Sequence, residues 1–337
     1  MNLGEFKNEF QKIRGKTIAV VYTFEGDTTS GFEHFFMWKS SILTKWLIAI
    51  EQLHCMPLIL DVRTFVDKAI NQTLPYIDYV LNLNTGMFDL SVMALVPSMC
   101  SSLKIPCIPC DAVSIVTGEN KLLSNLIAKS IGIQVPRTID TSISKGIFRP
   151  INLGNSLGVK RGMKNSCQKG IYQEFISGYE ITTPVVYNAL THTMDLLPTV
   201  IYIHESKDLD WFNGEEEKKA RTGYFFKTVK LDETTNRKYL ELIDIMGIQT
   251  YCRIDARIKC SENIYHDNSN NTVAFDDVYF IEINVMPTIR DKNNFTFSFD
   301  SIGENDSLYP CIKAQEDIVG DINVFSFLLA SSMLSFI

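Results

Sequence analysis

The chain has no excess of positive charge: 32 Lys and Arg stand against 39 Asp and Glu, a formal net charge of -7 over 337 residues. A general nucleic-acid binder needs a basic footprint to displace counterions, so that class is excluded, and any polyanion must be held by a few local cations. The opening MNLGEFKNEFQKIRGK lacks the apolar run and small-residue cleavage site of a secretory signal, which makes a cytoplasmic protein the expectation. The apolar tail from Val324 to Ile337 is too short to span a bilayer and reads as a core helix, so no membrane partner is expected. The 8 cysteines lack a metal-binding arrangement: only Cys107 and Cys110 form a CxxC, Pro109 lies inside it, and no second pair or His cluster joins it. Reduced, mostly buried thiols are expected. What remains is a globular chain of 45% hydrophobic residues, large enough for two or three subdomains.

Up to about residue 110, strand and helix signals alternate. Ile18 to Phe24 is a short apolar run suited to a buried parallel strand, with Gly26, Asp27 and Gly31 punctuating the turn after it. From His34 to His54, Phe35, Trp38, Ile42, Trp46, Ile50 and Leu53 recur at helical spacing, and these aromatics belong to a core rather than a ligand box. Pro57 to Val62 predicts a second strand, Val66 and Ile70 mark a helix, and Ile77 to Leu83 predicts a third strand. Such alternation predicts an α/β fold with a parallel sheet and crossover helices.

Residues 111–180 change character. Thr117 is the expected cap of a helix through ENKLLSNLIAKSIG, which Gly132 ends and Pro136 stops. Lys121 falls in its first turn, where the helix dipole disfavours a cation; it is either a surface lysine or one that reaches outward to a phosphate. Next, Gly154, Asn155, Ser156 and Gly158 form a loop whose backbone N–H groups can converge on an anion, with Arg149 supplying charge. Gly-Asn-Ser-Leu-Gly also fits the G-x-S-x-G elbow of serine hydrolases, which would make Ser156 a nucleophile. That motif needs an apolar helix after the serine, and Lys160, Arg161, Gly162, Lys164 and Asn165 follow instead. Gln173 and Glu174 stand on a strand, Ser177 and Gly178 turn the chain, and a second strand carries Glu180, an acceptor suited to ribose hydroxyls. His204 to Phe226 is charged and irregular, either a solvated loop or a lid.

From Tyr251 to Pro287 the chain reads YCRIDARIKC, a polar excursion, then VYFIEINVMP. Residues 253–258 and 279–284 alternate polar with apolar, the period of strands with one buried face. Paired as a hairpin, they bring Arg253, Asp255, Glu282 and Asn284 onto one patch of sheet. Two carboxylates, an amide and a guanidinium there suit a hard divalent cation with an anion beside it, because magnesium takes carboxylate oxygens together with substrate phosphates. A solvated strand face is the alternative.

In this order the stretches resemble the ATP-grasp superfamily, most nearly the D-alanine:D-alanine ligases. ENKLLSNLIAKSIGIQVPR is similar to the family's central-domain helix, RPINLGNSLGV to its phosphate-covering loop, QEFISGYE to its adenine and ribose hinge, and RIDARI with YFIEINVMP to its metal-binding core. The resemblance implies an N-terminal parallel-sheet, Rossmann-like pre-ATP-grasp domain over 1–110, a reduced central ATP-grasp subdomain over 111–180 and a C-terminal ATP-grasp subdomain over 181–337. It implies ATP and two Mg2+ as cofactors, with Lys121 and Arg149 on the phosphates, Arg149 standing where the family usually has Lys. The loop with Asn155 and Ser156 would close over the phosphates, and Gln173, Glu174, Phe175 and Ile176 would meet adenine, with Glu180 at the ribose. Asp255, Glu282 and Asn284 would hold the metals, Arg253 would face the reacting carboxyl, and Lys218 or Lys219 would come over the γ-phosphate.

Departures accompany the match. YTFEGDTTSGFEH offers no convincing counterpart of the family's N-terminal serine and glutamate motif, and Pro287 is followed by Thr288, Ile289 and Arg290 rather than Gly and small residues. Thr288 and Arg290 are therefore the candidate acceptor-site residues. The segments 137–149 and 158–171 are short for the family. The expected activity is ATP-dependent joining of a carboxylate to an amine on amino acids or small peptides, with a homodimer as the expected assembly. A nucleotide-binding protein that has lost catalysis and a serine hydrolase are the alternatives.

Overall fold

Strands β1 (Thr17–Tyr22), β2 (Met56–Asp61), β3 (Tyr79–Leu83) and β4 (Cys107–Ile108) form a wholly parallel sheet in the order β2-β1-β3-β4. The computed structural model describes residues 1–23, 40–86, 89–140, 146–154, 156–162, 169–214, 222–267 and 272–337. Helices Ser40–Gln52, Val62–Ile70 and Leu95–Leu103 lie between successive strands, as parallel pairing requires. Buried β1 and β3 sit centrally, whereas apolar β2 is an edge strand that leaves Met56 and Ile59 about half exposed.

A second, seven-stranded sheet runs β13-β11-β10-β8-β12-β14, with β9 also on β8. Its members are β8 (Gly178–Asn188), β9 (Thr193–Leu196), β10 (Thr199–His204), β11 (Tyr224–Leu231), β12 (Tyr251–Lys259), β13 (Thr272–Val273) and β14 (Val278–Asn284). Every pairing in it is antiparallel except β11 with β13. A third sheet, order β6-β5-β7, is made of β5 (Gly146–Pro150), β6 (Lys160–Arg161) and β7 (Gly170–Glu174). Among the described residues between Ser130 and Gly170 there is no helix.

The helix Lys121–Ser130 corrects one sequence expectation. Thr117 does not cap it: Thr117 lies inside the preceding helix, Ala112–Glu119, and its hydroxyl donates to Val113 O at 2.8 Å. Asn120 is the cap, its Oδ1 accepting from Leu122 N and Leu123 N, both at 3.1 Å. The chain breaks at Asn120 because its side-chain oxygen satisfies amides that a continuous helix would have paired internally.

The C-terminal helix Val324–Leu334 is buried along its whole length, as its composition predicts. It shares a core with Phe6 and Phe10 of the N-terminal helix Leu3–Ile13 and with Trp46, whose ring meets Phe325 edge-on at 4.9 Å. Among the described residues no single helix is long and apolar enough to cross a membrane. The 7 described cysteines are free thiols, 6 of them buried.

Candidate active site

Strands β12 and β14 pair antiparallel, although a short helix, Ile264–Asp267, and β13 interrupt the connection between them. Arg253 lies opposite Asn284 and Asp255 opposite Glu282, so four polar side chains share one face as the alternation predicts. A bulge follows: Ala256 pairs with Phe280, and Ile281 is the extra residue. β14 is also the edge of its sheet, and side chains cover that edge instead of another strand. Ile281 O accepts from Arg149 Nη1 at 2.8 Å and from Asn125 Nδ2 at 3.1 Å. The edge carbonyl thereby ties the three-stranded sheet and the helix Lys121–Ser130 to the carboxylate patch.

The patch opens into a cavity of about 510 Å³, within the usual range for small-molecule sites. Lys121, Arg149, Ser156, Gln173, Glu174, Phe175, Ile176, Glu180, Arg253, Asp255, Glu282, Asn284, Thr288 and Arg290 all line it. Asn155, Lys218 and Lys219 lie outside the described residues.

Cations gather around Glu282. Lys121 is neither a surface lysine nor outward-reaching: it is buried, and its Nζ lies 3.2 Å from Glu282 Oε2 and donates to Leu153 O at 2.7 Å. It therefore joins the glycine-containing loop to the carboxylate, which offsets its unfavourable place at a helix N-terminus. Arg149 is also buried, and burial lowers its guanidinium to about 10, still charged at neutral pH with Glu282 supporting that charge. Its Nη2 donates to Gln173 Oε1 at 2.7 Å, and Gln173 Nε2 in turn donates to Asn125 Oδ1 and Pro136 O. Gln173 is thus a buried brace within the wall.

Asp255 accepts four hydrogen bonds: from Thr182 Oγ1 at 2.7 Å, Arg253 Nε at 2.8 Å, Arg253 Nη2 at 2.6 Å and Asn284 Nδ2 at 2.8 Å. Burial disfavours the charge on Arg253, but the paired bonds to Asp255 outweigh it and leave the guanidinium firmly protonated. Among the described residues no group of three or more Asp, Glu, His or Cys is clustered as a complete metal cage. Two facing carboxylates with an adjacent amide fit magnesium better than such a cage would, because that ion takes one or two carboxylates and completes its shell with water and phosphate oxygens.

At the opposite end, Gly178 turns the chain from β7 into β8 with φ +136, and a Cβ there would lie 1.9 Å from Ile258 O, so only glycine fits. Arg257, buried beneath this turn, donates to Ile176 O at 2.6 Å, Gly178 O at 2.8 Å and Glu180 Oε1 at 3.2 Å. Its guanidinium carbon lies 4.7 Å from the Phe175 ring centroid, and that of Arg161 lies 4.2 Å from it. Glu180 also accepts from Asn213 N at 3.1 Å. Glu174 turns its carboxylate to Arg137, at 2.7 Å, whose hydrogen bonds hold it below the usual carboxylate range. What Glu174 presents to the cavity is therefore not a free carboxylate.

Ser156 has φ 60, a left-handed backbone shared with strained elbows, but a turn and then β6 follow it, not a helix. Its Oγ donates to Asn213 O at 3.0 Å, and among the described cavity-lining residues there is no histidine to act as base. Ser156→Ala is expected to slow turnover only about 2- to 10-fold, the worth of one neutral hydrogen bond. Covalent labelling of Ser156 by a fluorophosphonate would contradict this.

Sequence reasoning missed Glu119, which closes the helix Ala112–Glu119 and reaches the cavity wall, its Oε1 accepting from Val285 N at 3.2 Å. Gly118 allows the approach: a Cβ there would meet Val285 Cγ1 at 2.5 Å. Burial pushes the Glu119 carboxyl up to about 7; Lys121 opposes the rise and Glu282 adds to it. The folded state therefore binds a proton that the unfolded chain releases near the ordinary 4.5. The resulting stabilisation is full below that value and is lost as pH rises through about 7. Glu119→Gln should flatten this decline, which approaches 1.4 kcal/mol per pH unit, roughly, for one proton. Denaturant melts of parent and variant from pH 5 to 8 would show it; parallel curves would contradict it.

No family model matches the chain. A D-alanine–D-alanine ligase of Wolbachia pipientis subsp. Culex pipiens (strain wPip) is 25% identical over 207 residues, which cover 53% of this chain and 61% of that relative's length. The solved D-alanine–D-alanine ligase of Bacillus anthracis superposes with a TM-score of 0.62 at 14% identity, covering 95% of this chain and 97% of that one. Its complex with ATP gives 0.57 at 13%, with 94% and 97% covered. A D-Ala:D-Ser ligase from Enterococcus faecalis gives 0.60 at 13%, with 96% and 100% covered.

Proposed function

We propose, from the premise that this chain has the ATP-grasp fold and resembles the D-alanine–D-alanine ligases, that it is an ATP-dependent carboxylate–amine ligase. The observation that carries the reading is that Lys121, Arg149 and Arg253 converge on Asp255 and Glu282 in one cavity, with the Gly178 hinge at its other end. In this reading the substrates are amino acids or small peptides, the location is cytoplasmic and the assembly is a homodimer. The three-part division at residues 110 and 180 belongs to the same proposal.

ATP would lie with its base against Phe175 and Ile176, its ribose at Glu180 and its phosphates toward Lys121, Arg149 and the Ser156 loop. Magnesium, held by Asp255, Glu282 and Asn284, would neutralise charge on the transferred phosphoryl group. Lys121 and Arg149 add fixed positive charge from buried positions, so little reorganisation accompanies transfer. A carboxylate oxygen of one substrate attacks the γ-phosphorus and ADP leaves, giving an acyl phosphate. The amine of the second substrate attacks the acyl carbon, loses a proton and expels phosphate as the amide forms. Arg253, held by its paired bonds to Asp255, would stabilise the oxyanion that forms when the amine attacks. With amino acids labelled by ¹⁸O in the carboxyl group, each turnover should transfer one label to phosphate, and unlabelled phosphate would rule out the acyl phosphate.

One observation favours a second reading, nucleotide binding without turnover. Every oxygen of Asp255 is already hydrogen-bonded.

A further inference from the structure

Asp255 receives one of its hydrogen bonds from outside the patch, and that bond belongs to a directed chain. Thr182 stands opposite Asp255 in the β8–β12 register, on the same face of the sheet, and donates to its Oδ1 at 2.7 Å. Asn294, first residue of the helix Asn294–Asp300, donates from Nδ2 to Thr182 Oγ1 at 3.2 Å and to Tyr202 Oη at 2.7 Å. All three residues are at least nine-tenths buried.

The donor directions are fixed by chemistry. Asn294 Oδ1 accepts from Phe295 N at 2.9 Å, and a backbone N–H can only donate, so the amide cannot be turned over without breaking that bond. Its Nδ2 must therefore face Thr182 and Tyr202. Because Nδ2 can only donate, the Thr182 hydroxyl accepts there and its own proton is directed at Asp255. A buried threonine satisfied by a backbone carbonyl would need no such chain; here Asn294, from the segment after Pro287, holds both Thr182 of β8 and Tyr202 of β10, and Thr182 alone carries the chain on to one carboxylate oxygen.

We propose that Thr182 and Asn294, backed by Tyr202, are positioning residues that fix the rotation of the Asp255 carboxylate for a divalent cation. The inference rests on the ligase reading's assignment of Asp255 to the metal. Arg253 holds both Asp255 oxygens in its fork and Asn284 holds Oδ2; the Thr182 bond adds a partner on Oδ1 from the neighbouring strand β8, so the carboxylate is fixed from two sides. Outer partners of metal-ligating carboxylates typically contribute 10- to 100-fold, roughly, in metal affinity.

The test is Mn2+ binding to the full chain with ADP, followed by the electron paramagnetic resonance of free Mn2+. Thr182→Val keeps shape and removes the hydroxyl, and it should weaken Mn2+ binding by about 10- to 100-fold, with ADP affinity in the absence of metal unchanged. Thr182→Ser should restore binding to within about threefold, which a merely structural role for the methyl group would not do. Asn294→Ala leaves Thr182 free to rotate and should weaken binding less, and it carries the test if Thr182→Val does not fold. Wild-type affinity in both Thr182→Val and Asn294→Ala would overturn the relay while leaving the metal site standing. A wild-type chain that binds no Mn2+ with ADP would overturn the relay together with the reading beneath it.

Discussion

Glu282→Gln is expected to lower ATP turnover by on the order of 10³-fold or more, because several kcal/mol of charge stabilisation in the transferring group is lost with the anionic ligand. The substitution keeps the volume of the side chain and an oxygen that can accept from Lys121, whose Nζ also keeps its bond to Leu153 O. The fold should survive, with a stability cost of about 1–2 kcal/mol from weakening a half-buried ion pair. Three cations would then face one carboxylate fewer, so phosphate binding without metal should tighten slightly while turnover collapses. Turnover measured against magnesium concentration separates the possibilities. Normal turnover at low magnesium would reduce the patch to the polar face of a strand.

Arg290→Ala should raise the KM of the amine substrate far more than that of ATP. The segment bearing Arg290 is closed by two bonds: Asn293 Nδ2 donates to Thr288 O at 2.7 Å and Thr296 Oγ1 donates to Arg290 O at 2.6 Å. Arg290 is half-buried on the cavity wall together with Thr288, so its guanidinium is held on a rigid loop and not on a tether. In the proposed reading a planar guanidinium in that place would clamp a carboxylate by paired hydrogen bonds, and the expected acceptor is an amino acid or small peptide with a free carboxylate. Losing such a pair costs on the order of 2–5 kcal/mol, a KM change of about 30-fold or more. An unchanged acceptor KM, or equal use of an amidated acceptor, would take Arg290 out of the site.

Where local periodicity carried the information, the sequence was readable. Alternation through 253–258 and 279–284 put Arg253, Asp255, Glu282 and Asn284 on one face, since a strand's side-chain period leaves only two choices of face; the register that sets Asp255 opposite Glu282 came from the structure. The parallel sheet followed from strand and helix signals of ordinary length. Lys121 gave a warning of a different kind: a cation in a first helical turn contradicts the dipole, and the contradiction is resolved only by Glu282, 161 positions away. Its burial was not readable, because burial is set by the loop at Leu153 and by β14 together. Thr117 was the expected cap and Asn120, three residues on, is the actual one, because the preceding helix runs on to Glu119. Glu119, Asn125, Thr182, Asn294 and Arg257 escaped because each is an unremarkable residue in its own stretch. Their significance comes from partners on other elements, such as Asn294 on Thr182 across 112 positions. The bulge at Ile281 gave no local sign, as Ile281 and Phe280 read as ordinary apolar strand residues.

The most direct measurement is ADP release by the purified chain with ATP, magnesium and pooled amino acids, each also withheld in turn. A ligase releases ADP and phosphate only when a carboxylate and an amine are both supplied, and an amide product of matching amount accumulates. Tight ATP binding with no amino-acid-dependent ADP release across the pool would contradict the ligase and leave a nucleotide-binding protein in its place.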